Sequence, residues 1–407
     1  MKYIRNLLKI TSISLATGVT GGLIGGIFHK AVELATEIRL ENTFLIYLLP
    51  FAGLLIALIY RAFKLKKDPG TNGVICSVRG EGEIPLSLGP SIFLGTFITH
   101  LFGGSAGREG AALQLGGTIG SLFARVFRLD KKIKPIIILS GMSAVFSALF
   151  GTPVTAVIFS IEACLVGSFC HGALIPCLAA SYAGYFISSL FGNSPVRLEI
   201  LLAPVADIRA MILTLVLGCA CGLLGIVFCK TMKCVHSFAE KKIENTYLRA
   251  FVGGIIIMLL TMLLGTYDYN GAGMDVVQRA MMGDAKPYAF LLKMIFTAIT
   301  IGFGFKGGEI VPTIFIGATF GCLFGTITGL PASFAAAVGV AALFAAVTNC
   351  PLASLSLAIE VFGGDGFALF AAAIFVSTAL SGYTSLYKEQ RFTFSKEFYE
   401  TVDKKAE

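Results

Sequence analysis

Apolar stretches alternate along this chain with short glycine-rich or polar breaks, and this pattern predicts a series of membrane helices. The first apolar run begins after Arg5 and extends to about Phe28. Two further runs, 91–102 and 111–126, flank a glycine-rich hinge, and the second carries no charge before Arg125. A helix needs about 20 apolar residues to cross about 30 Å of hydrocarbon, and glycines cut many runs to near or below that length. The pattern therefore predicts broken as well as complete membrane helices.

Composition places the chain in a membrane. Hydrophobic residues make up 56% of the 407 residues, charged residues make up 14%, and the mean hydropathy is +0.82. A soluble domain needs more polar surface than this to cover its apolar mass. No small-residue cleavage site follows the first run, so we interpret it as a span rather than a signal peptide. We predict an all-α integral membrane protein, multi-pass in the cell membrane, with only short non-helical links between residues 8 and 386.

The chain contains an internal repeat at an offset of about 200 residues. Residues 22–30 match residues 222–230. Two later matches keep this order, one pairing Glu109 with Glu309 and the other pairing the segments that end at Glu162 and Glu360. Three collinear matches indicate a duplication. The predicted domains are a first transmembrane repeat at 1–203, a second repeat at 204–390 and a short C-terminal tail at 391–407.

Flanking charges give the two repeats opposite orientations. Basic residues precede the first repeated helix and acidic residues follow it, whereas this order is reversed around the equivalent helix of the second half. The residues concerned are Lys2, Arg5, Lys9, Glu33, Glu37 and Glu41, and then Glu199, Asp207, Lys230, Lys233, Lys241 and Lys242. Because Lys and Arg are enriched on the cytoplasmic side, the repeats are inverted and both termini are predicted to be cytoplasmic. Inverted repeats of broken helices are typical of transporters.

The basic clusters do not indicate a nucleic-acid partner, although the net charge is +8. Each cluster adjoins an apolar span, and no aromatic residues are interleaved with the basic ones.

The hinge 107–110, Gly-Arg-Glu-Gly, places the carboxylate of Glu109 between two apolar segments. An ionisable group at such a position is costly unless it has a function. Free N–H groups at the start of the following helix attract anions, and Glu109 is able to occupy the same place as a tethered anion. A carboxylate removed from water also takes up a proton more readily, which would release it from the site. The alternative is a loop glutamate exposed to water.

Three further residues are candidates for the same chemistry. Glu309 follows two glycines and precedes Pro312, which suits the first turn of a helix; a carboxylate that only complements the helix dipole is the alternative. Asn72, within 69–74, has an amide that can donate to an anion, although Asn-Gly is also a common turn signal. Tyr387 ends the last apolar run and has a hydroxyl able to face a pore, with an interfacial aromatic as the alternative.

The remaining polar residues of the apolar runs suggest structural roles. Glu162 and Glu360 each end an apolar run that begins with a proline, and their symmetry predicts that each caps a helix. The ten cysteines include no CxxC pair, the four histidines are scattered, and no HExxH or GxSxG motif occurs. The sequence therefore predicts no metal site, no cofactor and no enzyme.

Together these motifs resemble those of the CLC family of chloride channels and proton-coupled anion antiporters, over essentially the whole chain. Residues 107–110 resemble its gating-glutamate motif, 308–312 its GxFxP motif, 69–74 its GSGIP segment, and Tyr387 its pore tyrosine. The resemblance implies a CLC-type fold of inverted repeats, assembled in the lipid bilayer as a homodimer with one pore per subunit. It also implies roles for individual residues: gating and proton transfer for Glu109, a possible accessory transport role for Glu309, and anion binding for Asn72, Gly110, Ile310, Val311 and Tyr387.

The departures from that pattern bear on the transported anion. Asn72 stands where the family has a central serine, Ile310 replaces phenylalanine, Ala111 replaces proline, and Ala163 occupies the place of a second, inner proton glutamate. This combination is similar to the fluoride-exporting branch, which implies a fluoride/proton antiporter that exports fluoride from the cytoplasm. Fluoride is a strong hydrogen-bond acceptor, so close donors such as an Asn amide suit it. A chloride or nitrate/proton antiporter and a passive anion channel of the same fold are the alternatives.

Overall fold

A computed structural model describes residues 2–65 and 68–407, which form sixteen α-helices and three short strands. The first half contains α1 (Lys2–Glu41), α2 (Leu49–Ala62), α3 (Gly70–Val78), α4 (Leu88–Leu101), α5 (Glu109–Val126), α6 (Lys134–Phe150), α7 (Pro153–Glu162) and α8 (Leu174–Ser189). The second half contains α9 (Ile208–Lys242), α10 (Thr246–Leu264), α11 (Met274–Met281), α12 (Ala289–Gly302), α13 (Ile310–Thr328), α14 (Ala332–Thr348), α15 (Pro351–Phe362) and α16 (Phe367–Leu380). Short 3-10 helices lie at Thr43–Leu48 and His171–Ala173.

Helix lengths confirm the prediction of a helical membrane protein with broken spans. Among the residues described, six helical segments are long and apolar enough to cross a membrane. Seven further apolar helices contain only 10–17 residues, too few for a simple span. Several of these short helices begin or end inside the protein, so the ends of their backbones carry polar groups into the apolar interior.

Equivalent helices of the two halves pack in the same way. Helix α5 contacts α6 at Gly116, where an added Cβ would lie 2.3 Å from the carbonyl oxygen of Gly141. Helix α13 contacts α14 at Gly317, where an added Cβ would lie 2.5 Å from the carbonyl oxygen of Gly339. Only glycine permits so close an approach of two backbones, so these four positions fix the helix pairs that carry Glu109 and Glu309.

Glu162 and Glu360 cap helices reciprocally across the two halves, as their symmetry predicts. The carboxylate of Glu162, at the end of α7, accepts hydrogen bonds from the backbone N–H groups of Leu352 (3.2 Å) and Ala353 (2.9 Å) in α15. The carboxylate of Glu360, in α15, accepts from Val154 (3.0 Å) and Thr155 (2.7 Å) in α7. Each half therefore supplies hydrogen-bond acceptors for the unpaired N–H groups at a helix start of the other half.

The prediction of short links throughout is wrong for residues 190–207, between α8 and α9, which form no helix. Two hydrogen bonds hold this segment against both halves: Val196 N–H donates to Phe150 O (2.9 Å) and Leu198 N–H donates to Val361 O (3.0 Å). These long-range hydrogen bonds pair backbone N–H groups that have no acceptor within a helix.

The C-terminal tail folds onto the first half as part of a small sheet. Strand β1 (Leu165–Val166) pairs in parallel with β2 (Arg391–Phe394), which pairs antiparallel with β3 (Thr401–Lys405). Just before β2, the buried amide of Gln390 donates to Ala163 O (3.0 Å) and Thr348 O (2.7 Å). The sequence analysis did not predict this sheet, which fixes the segment that follows Tyr387.

Candidate functional site

Two glycine loops, one from each half, meet at the centre of the protein. Gly107 and Gly308 exchange a reciprocal pair of backbone hydrogen bonds, with N–O distances of 2.8 and 2.7 Å. An added Cβ at Gly308 would lie 2.3 Å from the backbone nitrogen of Gly110. The loops therefore need glycine to approach each other, and their contact brings the N-terminal ends of α5 and α13 together.

Glu109 is the first residue of α5 and is completely buried at this junction. Its Oε2 accepts a hydrogen bond from the backbone N–H of Val311, in the first turn of α13, at 3.3 Å. Its Oε1 has no hydrogen-bond partner among the described residues. The carboxylate thus reaches across from one half to occupy an anion-attracting helix start in the other.

The backbone N–H groups of Gly110, Ile310 and Val311 lie in the first turns of α5 and α13. Helical geometry gives these N–H groups no acceptor within their own helices. Two such helix starts at one place provide donors from both halves, which is the arrangement that a small anion needs.

Glu309 is the residue just before α13, and its side chain is partly buried. Its Oε2 lies 3.5 Å from the position that a Cβ at Gly110 would take, so the carboxylate lies against the start of α5. Within the described part of the chain, its carboxylate accepts no hydrogen bond from another residue and forms no ion pair, whereas its backbone carbonyl accepts from Thr313 Oγ1 at 2.8 Å. Glu309 and Glu109 therefore flank the same junction.

Asn72 lies in the first turn of α3, so the stretch 69–74 is mainly helical rather than a turn. Its Oδ1 accepts a hydrogen bond from the backbone N–H of Glu389 at 3.1 Å. A backbone N–H can only donate, so the atom of the Asn72 amide that faces Glu389 is the oxygen. The NH₂ group of the same amide therefore remains available as a donor. The side chain of Tyr387 is 3% exposed, and its buried hydroxyl has no hydrogen-bond partner among the described residues.

Two cavities lie on opposite sides of the junction, and no residue lines both. We label them outer and inner according to the orientation that the flanking charges predict. The outer cavity, of about 560 Å³, is lined by Glu109 and Val311 together with side chains from α1 and the loop before α11. The inner cavity, of about 780 Å³, is lined by Asn72, Glu309 and Tyr387. A smaller cavity of about 150 Å³ continues from it beside Lys233 and Lys388. Glu109 therefore closes the outer space, and Glu309 faces the inner one.

The structure adds polar residues that the sequence analysis missed. Gln114, five residues after Glu109 in α5, lines the inner cavity and donates to Thr71 Oγ1 at 3.4 Å. Lys306 pairs with Asp68 at 2.7 Å beside the same cavity, and its Nζ lies 4.5 Å from the centre of the Tyr60 ring. Gln114 had a signal in the sequence, because it is the one long polar side chain in 109–124 after Glu109. The ion pair of Lys306 with Asp68 had no signal in the sequence, because the two residues are far apart along the chain.

Among residues 2–65 and 68–407, no group of three or more His, Cys, Asp or Glu side chains is placed to hold a metal ion.

Comparisons with known proteins agree with this architecture. The family model described as voltage gated chloride channel matches residues 52–382. The chain is 31% identical over 405 residues to a chloride/fluoride channel protein of Pseudomonas syringae pv. tomato, covering 97% of this chain and 88% of that protein. It is 26% identical over 397 residues to the H(+)/Cl(-) exchange transporter ClcA of Salmonella arizonae, covering 87% of this chain and 81% of that protein.

A solved structure is similar over almost the whole chain. The crystal structure of a CLC-type fluoride/proton antiporter superposes with a TM-score of 0.92 and 31% sequence identity, covering 95% of this chain and 98% of that one. The fold predicted from the sequence is therefore confirmed, and the chain belongs to the voltage gated chloride channel, or CLC, family of membrane proteins.

Proposed function

We propose that this protein is a fluoride/proton antiporter that exports fluoride from the cytoplasm. The observation that carries the proposal is the hydrogen bond from Val311 N–H to the buried Glu109 carboxylate, at 3.3 Å. A carboxylate held by a helix start occupies the place that a mobile anion would take. Glu109 is therefore suited both to block the anion route and to carry a proton.

Exchange follows from the two states of Glu109. The ionised carboxylate is held by the Val311 N–H, because hydrogen bonds to charged acceptors are the stronger ones. Protonation removes that charge and weakens the hold, so Glu109 moves away and an anion takes its place on the N–H groups of Gly110, Ile310 and Val311. Release of the proton to the cytoplasm returns the carboxylate and expels the anion outward. One fluoride leaves for each proton that enters.

The inner side chains support delivery of an anion to this site. The available amide of Asn72 and the unpartnered hydroxyl of Tyr387 are donors on the lining of the inner cavity. Glu309 lies on the same lining, and we assign it an accessory role in transport because Ala163 leaves no inner glutamate at the position that the family uses. Its carboxylate is placed to exchange protons with the cytoplasmic side.

Fluoride is favoured over chloride by two observations. The relatives described as a chloride/fluoride channel protein and as a fluoride/proton antiporter are each 31% identical to this chain. In addition, Asn72 presents an NH₂ group with two N–H donors where chloride-transporting members have a serine hydroxyl with one donor. Fluoride gains more than chloride from close donors because it is the stronger hydrogen-bond acceptor.

The proposal includes the assembly and its orientation. We assign both termini to the cytoplasm. The inner cavity adjoins the basic residues Lys233, Lys306 and Lys388, and basic residues are enriched on the cytoplasmic side of membrane proteins. The repeats span 1–203 and 204–390 with the tail at 391–407, and two copies form a homodimer in the bilayer. No enzymatic step and no cofactor are required, since charge and proton transfer account for the cycle.

The test is an efflux assay on the purified protein in liposomes. Vesicles are loaded with fluoride or with chloride, and external anion and external pH are recorded together. We expect faster efflux of fluoride, with alkalinisation outside as protons enter. Equal or faster efflux of chloride with the same proton uptake would establish a chloride antiporter instead, and anion efflux without proton movement would establish a passive channel.

A further inference from the structure

The outer cavity contains two arginines that form no ion pair with the residues described by the structure. Arg39, near the end of α1, is 8% exposed, and Arg108 immediately precedes Glu109. Both side chains line the outer cavity. Within residues 2–65 and 68–407 neither guanidinium donates a hydrogen bond to a protein acceptor or forms an ion pair, and the Nε of Arg39 is buried without a partner.

Three of the five carboxylates on the same lining form ion pairs with other cations. Glu33 pairs with Lys30 at 2.7 Å. Asp268 pairs with Arg279 at 2.8 Å and with Lys286 at 3.1 Å, and Asp275 lies 3.5 Å from Arg279. Glu37 is exposed at the rim. Glu109 also lines this cavity next to Arg108, but its carboxylate accepts from Val311 N–H and no ion pair joins the two side chains. Within the described residues, neither arginine therefore forms an ion pair with a carboxylate of the cavity.

The loop beneath Arg39 adds positive charge instead of neutralising it. An added Cβ at Gly271 would lie 2.9 Å from Arg39 Nη2, so the guanidinium rests on this loop. The fully buried Lys293 donates to the carbonyl oxygens of Tyr269 (3.2 Å) and Gly271 (2.7 Å) in the same loop. The Gly271 N–H in turn donates to Gly104 O at 3.0 Å, in the hinge before Glu109. Lys293 thus adds a third positive charge behind the loop on which Arg39 rests, while only the two arginines line the cavity.

A buried guanidinium without a counter-charge is unfavourable, and its planar set of N–H donors binds small anions well. We propose that Arg39 and Arg108 form an outer binding site for a monovalent anion, one step beyond Glu109. This site receives the anion displaced by the returning Glu109 carboxylate before the anion leaves the cavity. The inference rests on the proposed anion transport, but it depends neither on proton coupling nor on which halide is preferred.

An anion arriving from the external medium meets the same two guanidinium groups. External anion therefore occupies the site and slows efflux from the inside. The slowing is larger than the smaller concentration gradient alone would cause. Initial efflux of fluoride is measured from heavily loaded liposomes, with the membrane potential held at zero by potassium and valinomycin. External fluoride and external chloride are varied separately, which distinguishes the exported ion from another anion of the medium.

We expect Arg39→Gln to raise the external fluoride concentration for half-inhibition by about tenfold, the effect of losing one charged hydrogen-bonding group. Arg39→Lys keeps the charge but not the planar donors and should raise it by about threefold. Arg209→Gln makes the same charge change at an exposed arginine outside the cavity, and it should match the wild type.

An unchanged half-inhibition concentration in Arg39→Gln, or an equal shift in Arg209→Gln, would overturn the proposal. If Arg39→Gln does not fold, Arg39→Lys decides: identity with the wild type then contradicts the site. Failure of proton coupling in the same vesicles would reject the antiporter and leave this inhibition test unaffected. If the wild type moves no fluoride, the same inhibition test is made on chloride efflux with external chloride.

Discussion

The reciprocal caps at Glu162 and Glu360 give a quantitative prediction about how the two halves are held together. In Glu162→Gln one carboxylate oxygen becomes an NH₂ group, which faces a backbone N–H of Leu352 or Ala353 instead of accepting from it. The change removes one charged hydrogen bond and leaves a buried N–H without an acceptor. We expect a loss of about 2–4 kcal/mol in the free energy of unfolding.

This energy converts to a measurable change in melting temperature. With an unfolding entropy of about 2.1 cal/mol/K per residue, a chain of this length should melt about 2–5 °C lower. Glu360 is more exposed than Glu162, so Glu360→Gln should cost about half as much because water replaces part of the lost interaction. Glu397→Gln, in the exposed part of the tail, is the matched control and should melt with the wild type.

The assay is size-exclusion chromatography of detergent-purified protein after heating, with the folded peak followed against temperature. Proton-coupled fluoride efflux is measured on the same variants before heating. Glu162→Gln should retain coupling when folded. An unchanged melting temperature would refute the capping argument, and normal melting with lost coupling would place Glu162 in the transport route.

Three further predictions concern the junction between the halves. Gly308→Ala should abolish anion transport, because the added Cβ lies 2.3 Å from Gly110 N and must separate the loops; normal flux from a folded variant would contradict this. Asn72→Ser should reduce the preference for fluoride over chloride by about tenfold, measured as the ratio of their initial efflux rates, since a shorter side chain with one hydroxyl donor replaces the two N–H donors of the amide. An unchanged ratio would remove Asn72 from the selectivity site. Glu309→Ala should lower fluoride throughput by about tenfold if it relays protons or anions, and unchanged flux and selectivity would make it structural only.

The sequence was most informative where polar residues interrupt apolar helices. Glu109 and Glu309 stood out because a charge next to a glycine break has few explanations within a membrane. Their repeat relationship marked two equivalent helix starts, and the backbone pairing of Gly107 with Gly308 brings those two starts together. The symmetry of Glu162 and Glu360 likewise predicted capping. The sequence did not indicate that each glutamate caps a helix of the other half.

The parts that the sequence did not predict depend on contacts between distant segments. The tail strand β2 pairs with only two residues of β1, and no sequence pattern marks so short a partner. The orientation of the Asn72 amide depends on the Glu389 N–H, 317 residues away. The lack of an ion pair at Arg39 is visible only when its spatial neighbours are known, because the nearest acidic residues in sequence, Glu37 and Glu41, are two positions away and do not face it on a helix. In each case the deciding interaction is tertiary rather than local.

The central claim is that Glu109 both competes for the anion site and carries the proton. The most direct measurement uses Glu109→Gln in liposomes with a fluoride gradient opposed to a proton gradient. Glutamine keeps the size of the side chain and can still accept the Val311 hydrogen bond, but it cannot exchange a proton at neutral pH. Our account predicts that fluoride still crosses while uphill proton movement disappears, whereas Glu397→Gln remains coupled. Uphill proton movement that persists in Glu109→Gln would contradict the account.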